Sequence, residues 1–262
     1  MNGPISVLKR PRLAVFELAS CAGCQLQILN CEDELVDLLR LVEFAYFKEA
    51  MSETSDDYDV ALIEGAVTRP ADEEKLRVIR ERASLVVTLG SCAFPVGIPG
   101  LKNIHDLAEV EKLVYGGDAE LFPSTQAKPV DAVIPVDAHI LGCPIHKDEF
   151  VRIVTALLIG KRPPVPTYPV CVECRLKENV CAYDRGLVCL GPVTRAGCGA
   201  ICPSYGSRCF GCRGLADDPN LPSAEALLEE KGRSPEDIRA EYVLYNGYYT
   251  LAEGGLKAKV AK

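Results

Sequence analysis

Between Cys171 and Cys212 the sequence places eight cysteines in 42 residues: Cys171, Cys174, Cys181, Cys189, Cys198, Cys202, Cys209 and Cys212. No other feature limits the fold as much. Residues 170–215 show little apolar periodicity and are rich in Gly, Pro and Arg. Such a segment cannot build a conventional core, so bound metal has to supply its folding energy. Cys21, Cys24, Cys92 and Cys143 lie upstream, each beside Gly, Ser or Pro. Eight plus four makes twelve, three complete sets of four, and of the 13 cysteines only Cys31 is left over. A cubane iron–sulfur cluster ordinarily takes four thiolates. The pattern points to an electron-transfer protein with three clusters.

At 262 residues the chain can hold one large domain or two smaller ones, and 48% hydrophobic content suffices for a core. A formal net charge of −8 argues against nucleic acid, and Lys9-Arg10-Pro11-Arg12 is too short for a polyanion site. Met1 to Arg12 lacks the apolar stretch of a secretory signal. No run reaches the length of a membrane span. The expectation is a cytoplasmic protein with no membrane partner. In that reducing compartment cysteines serve as metal ligands or catalytic groups rather than disulfides.

Residues 13–17 read as a strand and Leu18 to Cys24 as a strand-to-helix turn capped by Ser20. A helix is predicted from Gln25 to Leu41, with Ile28, Leu29, Leu35, Val36 and Leu39 on its apolar face. Further strands are expected at Glu43–Phe47, Tyr58–Ile63, Leu85–Leu89 and Val133–Leu141. Helices are expected at Ala71–Ala83, His105–Tyr115 and Lys147–Ile159. Alternating strands and helices predict an α/β fold with a doubly wound parallel sheet. Three strand ends then carry Cys21/Cys24, Cys92 and Cys143, and such sheets bind ligands outside the carboxyl ends of their strands. These four cysteines should therefore converge. Lys161 to Pro166 reads as a semi-rigid linker. It divides the chain into residues 1–162, a sheet domain, and 163–262, an irregular cluster-stabilised domain with a helical tail. The tail helices are predicted at Ala224–Lys231 and Pro235–Tyr242, with Ser223 and Ser234 as caps. Tyr242, Tyr245, Tyr248 and Tyr249 could dock a partner or pack on the chain itself.

The Cys-x2-Cys pairs at 21/24, 171/174 and 209/212 also suit zinc ribbons. Against zinc, 34 residues separate the two C-terminal pairs, four more cysteines need a role, and His105, His139 and His146 lack ligand spacing. Cys143-Pro144 and Cys202-Pro203 match the Cys-Pro feature at ferredoxin-type ligands. Arg175, Lys177, Arg185, Arg195, Arg208 and Arg213 outnumber the local acids. They would either offset cluster charge or form a solvated surface. His139 in an apolar strand reads as a core histidine, and Cys31 as a buried thiol.

Leu18-Ala19-Ser20-Cys21-Ala22-Gly23-Cys24, Glu64-Gly65-Ala66-Val67, Gly90-Ser91-Cys92-Ala93 and Gly142-Cys143-Pro144 together resemble the motifs of [NiFe]-hydrogenase small subunits. The resemblance spans about residues 12–215. It implies a flavodoxin-like sheet domain and a proximal [4Fe-4S] cluster on Cys21, Cys24, Cys92 and Cys143. It further implies a distal set, Cys171, Cys174, Cys181 and Cys189, and a medial set, Cys198, Cys202, Cys209 and Cys212. Cys171 stands where membrane-bound relatives have histidine, and Cys202 where they have proline. The stretch Cys189 to Cys198 looks most like cytosolic members of the NAD(P)-linked sulfhydrogenase delta type. The implied role is electron relay from a nickel–iron site in a large subunit to an Fe–S/flavin module that reduces NAD(P). Glu64 would face the large subunit and could relay protons. A loop carboxylate held by backbone N–H groups is the plainer role for it.

Three other readings stay open. The related subunit of respiratory complex I shares the fold but normally has adjacent cysteines in place of Cys21-x2-Cys24. A deazaflavin- or heterodisulfide-reductase-linked hydrogenase would use the same subunit. A zinc-stabilised interaction module would carry no clusters.

Overall fold

The computed structural model describes residues 10–251. Among them, five strands form one sheet: β1 (Arg12–Glu17), β2 (Glu43–Phe47), β3 (Val60–Glu64), β4 (Leu85–Leu89) and β5 (Ala138–Ile140). Their order is β2-β1-β3-β4-β5, and every neighbouring pair is parallel. This is the flavodoxin-like doubly wound order, as the sequence led us to expect. β3 is buried at every position, so the sheet is covered on both faces. Alternate residues feed two cores. Leu13, Val15, Leu62 and Val87 meet Ile28, Phe150 and Ile153 on one face. Ala14, Phe16, Ala61 and Ile63 meet Leu76 and Ile79 on the other.

α1 (Gly23–Leu29) and α2 (Asp33–Leu41) follow β1, and α3 (Pro70–Arg82) follows β3. The short α4 (Gly90–Ala93) follows β4 directly, then come α5 (Leu107–Tyr115) and, after β5, α6 (Lys147–Leu158). The single helix predicted over Gln25–Leu41 is thus two. Glu32 takes a φ of 48° at the break, and Cys31 is fully buried there. The break resets the helical phase. Leu38 is buried, whereas Val36 and Leu39, predicted to face the core, are exposed. Ser20 does not cap α1: Ala22 holds the N-cap position in the left-handed region, and Ser20 donates to Glu17 instead.

The strand predicted at Val133–Leu141 shrinks to three residues. Pro135 has no N–H to give a ladder. The Asp137 carboxylate takes the Val86 N–H at 2.7 Å, so a side chain substitutes for strand pairing. His139 sits in β5 and bonds Thr88 through Nδ1 at 2.7 Å, a core histidine as expected.

The C-terminal part carries α7 (Val170–Leu176), α8 (Ile201–Ser204), α9 (Leu221–Glu230) and α10 (Pro235–Leu251). Asn220, not Ser223, caps α9. Ser234 and Asp237 form the reciprocal cap of α10 that their spacing suggests. Ala224, Leu228, Ile238 and Tyr242 pack on Val188, Leu190 and Val193. The tail therefore lends a small core to the cysteine segment. Tyr242 is buried and Tyr248 packs on Ala66, Val96 and Ala127, so both cover their own chain. The Tyr249 side chain lies outside the described residues.

Candidate metal centres

All thirteen cysteines are free thiols. Cys21 and Cys24 follow β1, Cys92 lies in α4 just beyond β4, and Cys143 follows β5. The parallel sheet brings these strand ends to one edge. Cys92 neighbours Cys143 and Cys21, Cys143 neighbours Cys21, and Cys24 neighbours Cys92. Gly90 lets this happen. Its φ is +76°, and a Cβ there would stand 2.3 Å from the Cys24 sulfur and 3.1 Å from the Gly142 carbonyl. Only glycine fits that approach without strain.

Cys171, Cys174, Cys181 and Cys189 line a cavity of 90 Å³ together with Arg175, Asn179, Tyr183 and Gly191. A Cβ on Gly191 would meet the sulfurs of Cys171 and Cys189 at 3.3 and 3.4 Å. Cys198, Cys202, Cys209 and Cys212 line another cavity of 460 Å³ with Cys143, Arg213 and Tyr245. The sequence resemblance had grouped the same residues.

Burial pushes the Cys92 and Cys171 thiols up to about 12 and Cys212 to about 11, with neighbouring cysteines adding to the shift. Cys24 and Cys209 are pushed up further, also by burial. Without a cation these thiols keep their protons at neutral pH. A coordinated metal reverses this, because it deprotonates a ligating thiol outright. Among the described residues, no three His, Cys, Asp or Glu side chains stand close enough to hold a single metal ion. Zinc needs four sulfurs about 2.3 Å from one point. A cube of iron and sulfide takes four thiolates around a wider space.

Two of the cationic side chains are not a solvated surface. Arg195 and Arg213 are buried. Arg195 pairs with Asp217 and donates to the Pro166 carbonyl at 2.9 Å. Arg213 pairs with Glu149 through two contacts of 2.7 Å and donates to the carbonyls of Leu141 and Ala196. It thereby ties the loop after Cys212 to α6 and to the residue two before Cys143. No spacing in the sequence signals that pair. Glu173, counted from sequence as a local acid, accepts from the amides of Gly197 and Ala200. It braces the turn that carries Cys198.

Glu64 ends β3 and is buried. Its carboxylate accepts from the N–H groups of Cys24 at 3.0 Å and Gln25 at 3.2 Å. That is the plainer of the two roles expected for it. Burial holds its carboxyl above the usual range, although both amide bonds pull the other way. Cys31 gives its thiol to the Gln27 carbonyl at 3.4 Å inside the core.

The sheet and its cysteine sets define an α/β protein built to carry iron–sulfur clusters. The family model for the NADH ubiquinone oxidoreductase 20 Kd subunit matches residues 21–157. Sulfhydrogenase 2 subunit delta of Pyrococcus furiosus is 41% identical over 84% of this chain and 92% of its own length. A vhu subunit of the F420-non-reducing hydrogenase of Methanocaldococcus jannaschii is 33% identical over 95% of this chain and 97% of its own. Among solved structures, a chain of the NAD+-reducing [NiFe]-hydrogenase in the H2-reduced state superposes with a TM-score of 0.53. That chain is 29% identical, with coverage of 60% of this chain and 96% of its own. The chain belongs to the NADH ubiquinone oxidoreductase 20 Kd subunit family, and within it to the small subunits of [NiFe]-hydrogenases. It is one subunit of an oxidoreductase, and the family context places iron–sulfur clusters here and nickel–iron on a large subunit. Among the described residues no helix is long and apolar enough to cross a membrane.

Proposed function

We propose that this chain is the electron relay of a cytoplasmic [NiFe]-hydrogenase, holding three [4Fe-4S] clusters between the large-subunit site and an NAD(P)-reducing module. The observation that carries this reading is the grouping of twelve thiols into three sets of four. Cys21, Cys24, Cys92 and Cys143 would hold the proximal cluster. Cys198, Cys202, Cys209 and Cys212 would hold the medial one, and Cys171, Cys174, Cys181 and Cys189 the distal one. When bound, such clusters supply one-electron chemistry at potentials set by hydrogen bonds, charge and burial. Contacts between the sets support this order. Cys143 of the first set stands beside Cys212 of the second in the cavity the second set lines. Cys209 of the second set donates its N–H to the Cys189 sulfur of the third at 3.3 Å. These contacts support a medial set lying between the other two. We keep residues 1–162 and 163–262 as the two domains of the relay.

An NAD(P)-reducing partner, proposed to carry Fe–S and flavin groups, fits the likeness to the NAD+-reducing [NiFe]-hydrogenase. A second reading rests on coverage. The vhu subunit aligns with 95% of this chain, whereas the NAD+-reducing enzyme's chain covers 60%. That favours an acceptor like the one used by F420-non-reducing hydrogenases. The co-purifying chains would decide between them. Glu64 is proposed as a proton relay toward the large subunit, since burial moves its carboxyl toward neutral pH. An unchanged hydrogen-isotope exchange rate in Glu64→Gln would remove that role.

Iron and acid-labile sulfide on anaerobically purified protein test the relay. About 12 of each per chain are expected from three cubanes. About two or three zinc without sulfide would replace the relay with a zinc-stabilised module.

A further inference from the structure

The tail helix α10 reaches back across the molecule. It packs against the 3-10 turn Ile98–Ile104, far from it in sequence. Tyr245 enters the 460 Å³ cavity beside Cys143, Cys202 and Cys212. Its ring reaches there because Gly97 has no side chain: a Cβ on Gly97 would stand 3.2 Å from the ring. Tyr245 and Cys143 line that cavity together, with the hydroxyl on the side of the Cys143 sulfur. The next residue, Asn246, leaves helical geometry at φ −124° and reaches the loop that carries Cys212. Its amide lies 3.6 Å from the Cβ position of Gly211 and 3.8 Å from that of Gly214. Ser91, next to Cys92, donates to the Cys212 carbonyl. Cys143 and Cys212 line the same cavity. Consecutive residues of α10 thus grip both sides of one junction.

We propose that Tyr245 is a positioning residue that raises the reduction potential of the proximal centre and so sets the driving force for transfer from the Cys143 side to the Cys212 side. This rests on the cluster assignment above. The physical reason is simple. Reduction adds negative charge to the thiolate-bound centre, and a hydrogen-bond donor on one sulfur favours the more negative state. A bond from the Tyr245 hydroxyl to that thiolate would be charge-assisted and partly withdrawn from water, which strengthens such bonds. The sequence singled out Tyr245 as able to dock a partner or pack on the chain itself, but not its closeness to Cys143, about a hundred positions away.

The test is Tyr245→Phe in the purified complex with its large subunit, read by potentiometric titration of the cluster spectra. The ring and its packing on Gly97 stay, and only the hydroxyl goes. About a tenfold weakening of the proximal reduction equilibrium is expected, a fall of about 59 mV for a one-electron couple. The distal centre, which Tyr245 does not touch, should keep its potential. Replacing Tyr245 by 3-fluorotyrosine, a stronger donor, should move the proximal potential upward. That second change keeps the test valid if the phenylalanine variant loses its clusters. An unmoved proximal potential in either variant, or equal shifts at all centres, would overturn the role of Tyr245. A wild-type complex with no proximal signal would overturn the cluster assignment instead.

Discussion

Arg213→Met removes the guanidinium that joins the two halves of the chain. The pair it forms with Glu149 is 1% exposed on both sides. Four hydrogen bonds leave the guanidinium, two to Glu149 and one each to Leu141 and Ala196. Its removal strands a buried carboxylate and two carbonyls. Breaking one side of a buried ion pair costs about 3–5 kcal/mol. At roughly 2–4 °C per kcal/mol for chains near this length, the unfolding midpoint should fall by about 6–20 °C. The assay is thermal unfolding of anaerobic protein at one fixed scan rate, since cluster proteins rarely unfold reversibly. Arg213→Met/Glu149→Leu should recover much of the loss, because no charge is left stranded. A single variant within about 2 °C of wild type, under 1 kcal/mol at this size, would refute the reasoning. So would a double variant no better than the single one.

Gly90→Ala should cost about four iron atoms per chain, one cubane's worth, because the new Cβ collides with the Cys24 sulfur. Iron analysis reads this directly. Glu64→Gln turns one of the two accepting oxygens into an NH2 donor facing a backbone N–H. It should lower stability by about 1–3 kcal/mol, seen as a lower unfolding midpoint. Asp237 is held below the ordinary aspartate value by its bonds to Ser234. Its contribution is therefore present above the unfolded value and lost as pH falls through the lower folded one. Asp237→Asn should flatten that acid limb in a pH series of unfolding midpoints and lower the midpoint across the neutral range, where the ionised carboxylate makes its contribution. The isolated subunit should show no hydrogen uptake, and measurable uptake would place hydrogen activation in this chain.

Much of the fold was legible because its strands are short, apolar and followed by turn residues. Glu43–Phe47 and Leu85–Leu89 appear in the structure as the sequence reading drew them. The strand before Cys143 was overdrawn, since Pro135 and the Asp137 carboxylate end the pairing early and hydropathy alone does not register either. The helix after Cys24 looked continuous because Glu32 has no breaker character; its φ of 48° is imposed by packing around Cys31. The cysteines were legible as metal ligands because metal sites depend on a few residues of one type, whereas their division into sets came from the family resemblance. The polar residues around them were not legible. Arg213 and Glu149 are 64 positions apart, and Tyr245 lies on a helix whose pattern reads as tail. Tertiary contact alone gives those side chains their roles.

Anomalous diffraction at the iron edge, on crystals of the intact complex, tests the relay most directly. Three four-iron peaks are expected in this chain: one among Cys21, Cys24, Cys92 and Cys143, and one in each cavity of the C-terminal part. Single-atom peaks at the zinc edge, or an iron-free site within any of the three sets, would contradict it.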